Sequence, residues 1–256
     1  MVETYHPLIE RALAVVDEEI EIATAERRAF KQFQLRLSEV DPDPQSTAGG
    51  VATPKRPGTI VAGRGAESPG ESLKRIRTAY RETVMSVPHF DTEYGDSLVE
   101  NVAIEFGPDL ASQVTGDRRL TRTLQESLLA ATESALEKRK TYEQSLKRER
   151  ESLREVRAGV SDCEQRAHEL GDAAASRGGA RVGLEARFAD LEEDCEDLAA
   201  ARQRVIHRRR TSRISGIGGE SLTTFLYADL ESTCPGLGEI ARCLDAIRSQ
   251  RRRCLR

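Results

Sequence analysis

The sequence predicts an all-α protein, built as an elongated antiparallel coiled-coil helical arm with a small helical head. Three observations lead there. Apolar residues recur at alternating three- and four-residue steps through several long stretches, which is the spacing of a heptad seam. Hydrophobic residues make up 38% of the 256-residue chain and aromatics only 4%, with no Trp, while 32% is charged. Such a composition suits helices packed along narrow seams better than one large core, because aromatics and branched aliphatics supply most core area. Finally, Pro and Gly gather in a few short segments that punctuate the periodic stretches.

The first heptad helix occupies residues 5–40, with its regular part from about Pro7 to Leu37. Pro7 suits a first helical position, where no N–H is needed. Its seam is Ile9, Leu13, Val16, Ile20, Ala23, Phe30 and Leu37, broken by Arg27 and Gln34. Asp41-Pro42-Asp43-Pro44 ends it. Residues 41–70 hold most of the prolines together with Gly, Ser and Thr, and show almost no apolar periodicity, so they are expected to form a flexible linker.

Residues 71–120 are expected to form the first part of the head. Leu73, Ile76, Tyr80 and Val84 mark a short amphipathic helix, interrupted by Val87-Pro88-His89-Phe90. Asp91 is placed to cap a second helix carrying Tyr94, Leu98, Val102 and Phe106, which Gly107-Pro108 closes.

Residues 121–213 read as the hairpin. A helix from about Thr121 to Leu170 has the seam Leu128, Ala135, Tyr142, Leu146, Leu153, Val156, Val160, Cys163, Ala167 and Leu170. It would be on the order of 75 Å long and needs a partner along its length. Gly171 to Gly179 supplies a turn. The chain then returns over residues 181–210 with Leu184, Phe188, Leu191, Cys195, Leu198 and Val205. The first helix has a matching seam, which leaves two arrangements open: a third strand lying against this hairpin, or an exposed seam that would point to dimerisation. Residues 214–256 begin with Ile214-Ser215-Gly216-Ile217-Gly218-Gly219, read as a hinge. Two helices follow, one with Leu222, Phe225, Leu226 and Leu230, the other with Leu237, Ile240, Ala241, Leu244 and Ile247. A hairpin that returns to its base would bring them beside residues 71–120, completing the head.

Several short motifs carry a family resemblance. They are Tyr80-Arg81-Glu82-Thr83-Val84-Met85, Val87-Pro88-His89-Phe90, Glu93-Tyr94-Gly95, Glu105-Phe106-Gly107-Pro108 and Leu226-Tyr227-Ala228-Asp229-Leu230. With the heptad-patterned middle, the chain resembles an uncharacterised family of coiled-coil proteins from halophilic archaea, a domain of unknown function. The resemblance implies a salt-adapted host and carries no activity.

Composition excludes some function classes. No stretch approaches the roughly 18–20 uncharged apolar residues that span a membrane, and the N-terminal residues lack a basic region followed by an apolar run. A cytoplasmic location is expected. The net charge of −4 does not describe a chain that is basic throughout. The five cysteines, Cys163, Cys195, Cys234, Cys243 and Cys254, are odd in number and have no CxxC spacing, which argues against a disulfide framework or a zinc knuckle. Cys163 and Cys195 fall on seam positions as small buried hydrophobes.

Four groups of residues have side chains of chemically useful types. His89, with Glu93 and Tyr94 nearby, has the groups for acid–base work, but a Pro-broken helix junction with a packed His explains the same residues. Cys163 and His168, with Cys195 across the hairpin, fall short of the three or four converging ligands that zinc needs. The glycines at 216–219 lack the preceding strand and following Lys of a phosphate loop. The charge blocks are more informative. Asp190, Glu192, Glu193, Asp194, Glu196 and Asp197 are followed by Arg202, Arg204, Arg208, Arg209, Arg210 and Arg213, the residues best placed to bind an anionic partner. No catalytic, cofactor-binding or metal-ligating residue is assigned. The expected function is a non-enzymatic coiled-coil interaction or scaffold protein, binding a protein partner or a second copy. The alternative is nucleic-acid binding, or gene regulation, through the Arg cluster 202–213. An enzyme with a site around His89 is a distant third reading.

Overall fold

The structure is a computed structural model that describes residues 6–43, 70–116, 119–176, 183–210 and 222–255. Among these residues the chain is all-α, without a strand. The helices are α1 (Pro7–Ser38), α2 (Glu71–Thr83), α3 (Phe90–Glu93), α4 (Leu98–Phe106), α5 (Pro108–Thr115), α6 (Arg122–Ser176), α7 (Leu184–Arg210), α8 (Leu222–Leu226) and α9 (Pro235–Cys254), with a 3₁₀ turn at Val84–Ser86 after α2. The chain divides into two compact units. One holds Met1–Glu21 and Thr141–Arg256, the other Ile22–Lys140.

The first unit is organised on α6 from Thr141 onward. α1 runs antiparallel to it, as the pairs Glu19–Tyr142, Asp17–Arg150, Glu10–Arg157 and His6–Ser161 record in order. α7 is also antiparallel to α6, with Arg202 against Glu149 and Arg166 against Asp194. The seam residues Ile9, Leu13, Val16 and Ile20 of α1 are buried, as are Leu146, Leu153, Val156 and Val160 of α6 and Phe188, Leu191 and Cys195 of α7. The first helix therefore covers its own apolar stripe within the chain, as a third strand beside α6.

Two expectations change here. The turn after α6 does not begin at Gly171, because the helix continues to Ser176. Gly171 is helical and serves contact instead. Gln250 of α9 lies across it and donates to the Ala167 carbonyl at 2.8 Å, and a Cβ at 171 would come within 2.2 Å of that amide nitrogen. Of the expected turn, residues 177–179 lie outside the described residues, as does the glycine hinge at 214–219. The second change concerns the C-terminal helices. They were expected to complete one head with residues 71–120, but the two segments belong to different units. The reason is side-chain pairing: Arg248 and Arg251 of α9 both grip Glu192 of α7, and Cys243 sits beside Cys195.

The second unit packs α1 from Ile22, α2 to α5, and α6 up to Lys140 around an aromatic cluster. Phe33 and Tyr80 meet edge to face at 5.0 Å between centroids, and Phe106 stacks on Phe33 at 6.2 Å. Such geometry adds about 0.5–1.5 kcal/mol per pair beyond the area buried. The Tyr80 hydroxyl is satisfied inside the core by donating to Asn101 Oδ1 at 2.7 Å. The end of α1 is tied down rather than left to a linker. Gln125 of α6 donates to the carbonyls of Leu37 and Val40, which the helix itself leaves unpaired. Asp43 accepts from the Leu120 N–H and from the Ser72 hydroxyl, and its own N–H donates to the Leu120 carbonyl. Residues 41–43 of the expected linker are thus held to this unit, and residues 44–69 lie outside the described residues.

Asp91 does not start a long helix. α3 ends after one turn, at Gly95 with φ of 60°, a conformation that glycine adopts without strain. α4 then starts afresh from Ser97, whose hydroxyl accepts from the Glu100 N–H while the Glu100 carboxylate accepts from the Ser97 N–H, a reciprocal capping box.

Phe33 lies at the centre of the second unit's core. Phe33→Ala is expected to cost about 3–5 kcal/mol of stability, measured by urea unfolding. A loss under 1 kcal/mol would mean that the aromatic cluster is not where this unit's stability resides.

Candidate functional site

Arg202, first of the residues proposed to meet an anionic partner, is wholly buried and serves the interior. It projects from α7 onto α6, where its two terminal nitrogens bind the Glu149 carboxylate at 3.0 and 2.6 Å, and one of them also donates to Ser152 Oγ at 2.9 Å. The Tyr227 hydroxyl, just past α8, donates to the same carboxylate. Its Nε faces Gly236 near the start of α9, where a Cβ would lie 3.3 Å away. Burial pulls the Arg202 pKa down, but the hydrogen bonds and charge of Glu149 outweigh it and hold the guanidinium more firmly charged than usual. The physical reason for the correction is desolvation. A seam-facing Arg with a carboxylate opposite is a core residue, and sequence alone gives no sign that Glu149 stands opposite.

The rest of the Arg cluster is less internal. Arg204 is exposed at the edge of a cavity of about 440 Å³ between α6 and α7. The side chains of Arg208, Arg209 and Arg210, and Arg213 entirely, lie outside the described residues.

His89 and Tyr94 do come together, around a residue the sequence reading did not include. Glu26 of α1 accepts from the Tyr94 hydroxyl at 2.5 Å and from Arg139 Nε at 3.0 Å, and lies 3.4 Å from His89 Nε2. Arg139 of α6 also forms a two-pronged pair with Glu105 of α4 at 3.0 and 2.6 Å, and lies over the Phe30 ring at 4.0 Å. Glu93 is exposed on α3 and takes no part in this arrangement. Burial, then the charge of Glu26, pushes the Tyr94 pKa well above the usual phenol range; burial does the same to Tyr80. A carboxylate that already holds these donors braces helices against one another. Its partners lie 63 to 113 residues away, so no local motif could reveal them.

A third polar group stands where α1 begins. His6 Nε2 is 2.9 Å from Ser161 Oγ, and Glu239 of α9 approaches His6 Nδ1 at 3.9 Å. A groove of about 1040 Å³ opens beside it, lined also by Arg157, Glu164 and Gln250. The geometry has the outline of a nucleophile and its base. Yet Ser161 lies deep within α6, where backbone N–H groups are committed to the helix and cannot stabilise an oxyanion. Glu239 meanwhile accepts the Leu8 N–H at 3.2 Å, filling one of the vacant donors at the start of α1. Docking of the helix start accounts for all three residues.

Cys163 and Cys195 are buried, and Cys243 joins them. His168 is exposed and pairs with Asp172 instead. Among the described residues, no group of three or more His, Cys, Asp or Glu side chains is arranged to hold a metal ion.

Two measurements test these assignments. Removing one member of the Arg202–Glu149 pair, as in Arg202→Met, should cost about 3–5 kcal/mol because a charge stays buried without its partner. The double variant Arg202→Met/Glu149→Leu should lose less than either single variant, and additive losses would contradict the coupling. Tyr80 and Tyr94 give a pH signature. Their folded pKa values are raised above the unfolded value of 10, so the stability they contribute is complete below pH 10 and declines above it. Ultraviolet titration of the folded protein at pH 11 should find both phenols still neutral, with ionisation appearing only on unfolding.

No curated protein and no solved structure matches the chain. A family model does, over residues 7–251, which takes in every helix from α1 to most of α9. The chain belongs to the family described as a domain of unknown function, DUF7260.

Proposed function

We propose that the protein is a non-enzymatic interaction protein, in which the heptad-patterned helices act as an antiparallel coiled-coil scaffold and a protein partner binds at their surface. The observation that carries this reading is the exposure of branched aliphatic side chains on α4, where Val99 is 50% and Ile104 70% exposed. In a helix whose Leu98 and Val102 already fill the core, further branched aliphatics facing water are a cost that binding a partner would offset. The buried polar groups support the same reading, since Arg202, Arg139 and His6 each tie helices together. The burial of Arg202 favours this reading over nucleic-acid binding, because it takes a cation out of the Arg cluster. No helix among the described residues is long and apolar enough to cross a membrane, and in this reading the protein works in the cytoplasm of a salt-adapted host.

The test is affinity capture from the cells that make the protein, comparing wild type with Val99→Asp/Ile104→Asp. A specific protein partner should be retained by the former and lost by the latter, with identical helical circular dichroism. Binding to duplex DNA and to single-stranded RNA should be measured alongside at 50 and 200 mM salt. A fall in affinity of about 10³-fold or more between them would replace this reading with the nucleic-acid one.

A further inference from the structure

Three free cysteines from three helices meet inside the first unit: Cys163 of α6, Cys195 of α7 and Cys243 of α9. Each is at most 4% exposed. Cys195 Sγ lies 3.8 Å from Cys243 Sγ. A seam needs small apolar side chains at such places, and Ala or Val would serve. Two sulfurs in contact add a chemistry that packing does not require.

We propose that Cys195 and Cys243 form a thiol oxidation site, whose two-electron oxidation by a peroxide bonds the two sulfurs and locks α9 onto α7. The geometry favours this pair. α7 and α9 lie closely side by side, and their register is held by Arg248 on Glu192 and Glu196 and by Arg251 on Glu185 and Glu192. Bond formation must bring the sulfurs from 3.8 Å to about 2.05 Å.

The reaction balances with the peroxide as oxidant. One thiolate attacks a peroxide oxygen, the O–O bond breaks, and a sulfenic acid forms with release of one water. The second thiol attacks that sulfur, the S–OH bond breaks, and a second water leaves. In all, two thiols and one H₂O₂ give one disulfide and two H₂O.

The surroundings set the rate. The hydrogen bond to Cys163 pulls the Cys195 thiol pKa down, but the hydrogen bond to Cys243 and burial push it up, to about 12. The thiolate is therefore scarce near neutral pH, and closure should quicken by about tenfold per pH unit between 7 and 9.

The experiment uses the full chain carrying Cys234→Ser/Cys254→Ser, which removes the two partly exposed thiols. The reduced protein is treated with hydrogen peroxide, quenched with an alkylating agent and mapped by peptide mass spectrometry, with thermal melts in parallel. The expected result is a Cys195–Cys243 cross-linked peptide and a Tm higher by roughly 5–10 °C, reversed by dithiothreitol. Cys163→Ser should keep the cross-link, and Cys243→Ser should abolish it. Should Cys243→Ser fail to fold, the Cys163→Ser variant alone decides, since it leaves both proposed sulfurs in place. Recovery of Cys195 and Cys243 only as free thiols, a Cys163–Cys195 link in their stead, or a cross-link that lowers Tm would each overturn the proposal.

Discussion

A guanidinium wholly removed from water keeps its charge only if a carboxylate is delivered to it with matching geometry, and the first unit is arranged around that requirement. Arg202 comes from α7, its two-pronged partner Glu149 and the hydroxyl of Ser152 from α6, and the Tyr227 hydroxyl from the segment after α8. Gly236, at the start of α9, leaves room for the Nε edge. These groups reach one point from four parts of the chain. If α7 slid by one turn along α6, two charges would be stranded in the core. An apolar seam tolerates such slippage far better, because Leu against Leu is nearly the same one heptad on. The ion pair therefore contributes register more than net stability.

The second unit reaches a similar solution closer to its surface. Arg139 from α6 is held between Glu105 of α4 and Glu26 of α1, with the Phe30 ring beneath it and Tyr94 beyond. Below that polar layer, Phe33, Tyr80 and Phe106 fill the core edge to face and stacked. Both units thus pair an apolar core with a buried or part-buried Arg–carboxylate lock. This suits a chain with few aromatics, where hydrophobic contact alone specifies alignment weakly.

These locks also bear on function. His89, Tyr94 and His6 looked, in type or in distance, like groups for acid–base chemistry, yet each is bonded to residues of a neighbouring helix. Among the described residues these polar groups brace the helices, while Val99 and Ile104 of α4 stand exposed. The sulfur cluster stands apart, because contact between Cys195 and Cys243 does nothing for register that Arg248 and Arg251 do not already do.

Much of the helical content was legible from the chain itself. Pro7, the Pro-rich stop after Ser38, and the heptad steps of Ile9 to Leu37 determined α1, since local propensity and apolar period agree there. The seams of α6 and α7 were legible for the same reason. Capping and pairing were not. Whether Asp91 or Ser97 starts a helix turned on the φ of Gly95 and the reciprocal bonds of Ser97 and Glu100. Whether Gly171 turns the chain or admits Gln250 turned on a residue 79 positions away. Above all, the sequence determined that Arg202 is positively charged, and only the tertiary structure decided which way that charge faces. Periodicity reports that a helix has an apolar stripe, but the carboxylate that lets a cation lie within it comes from a distant part of the chain.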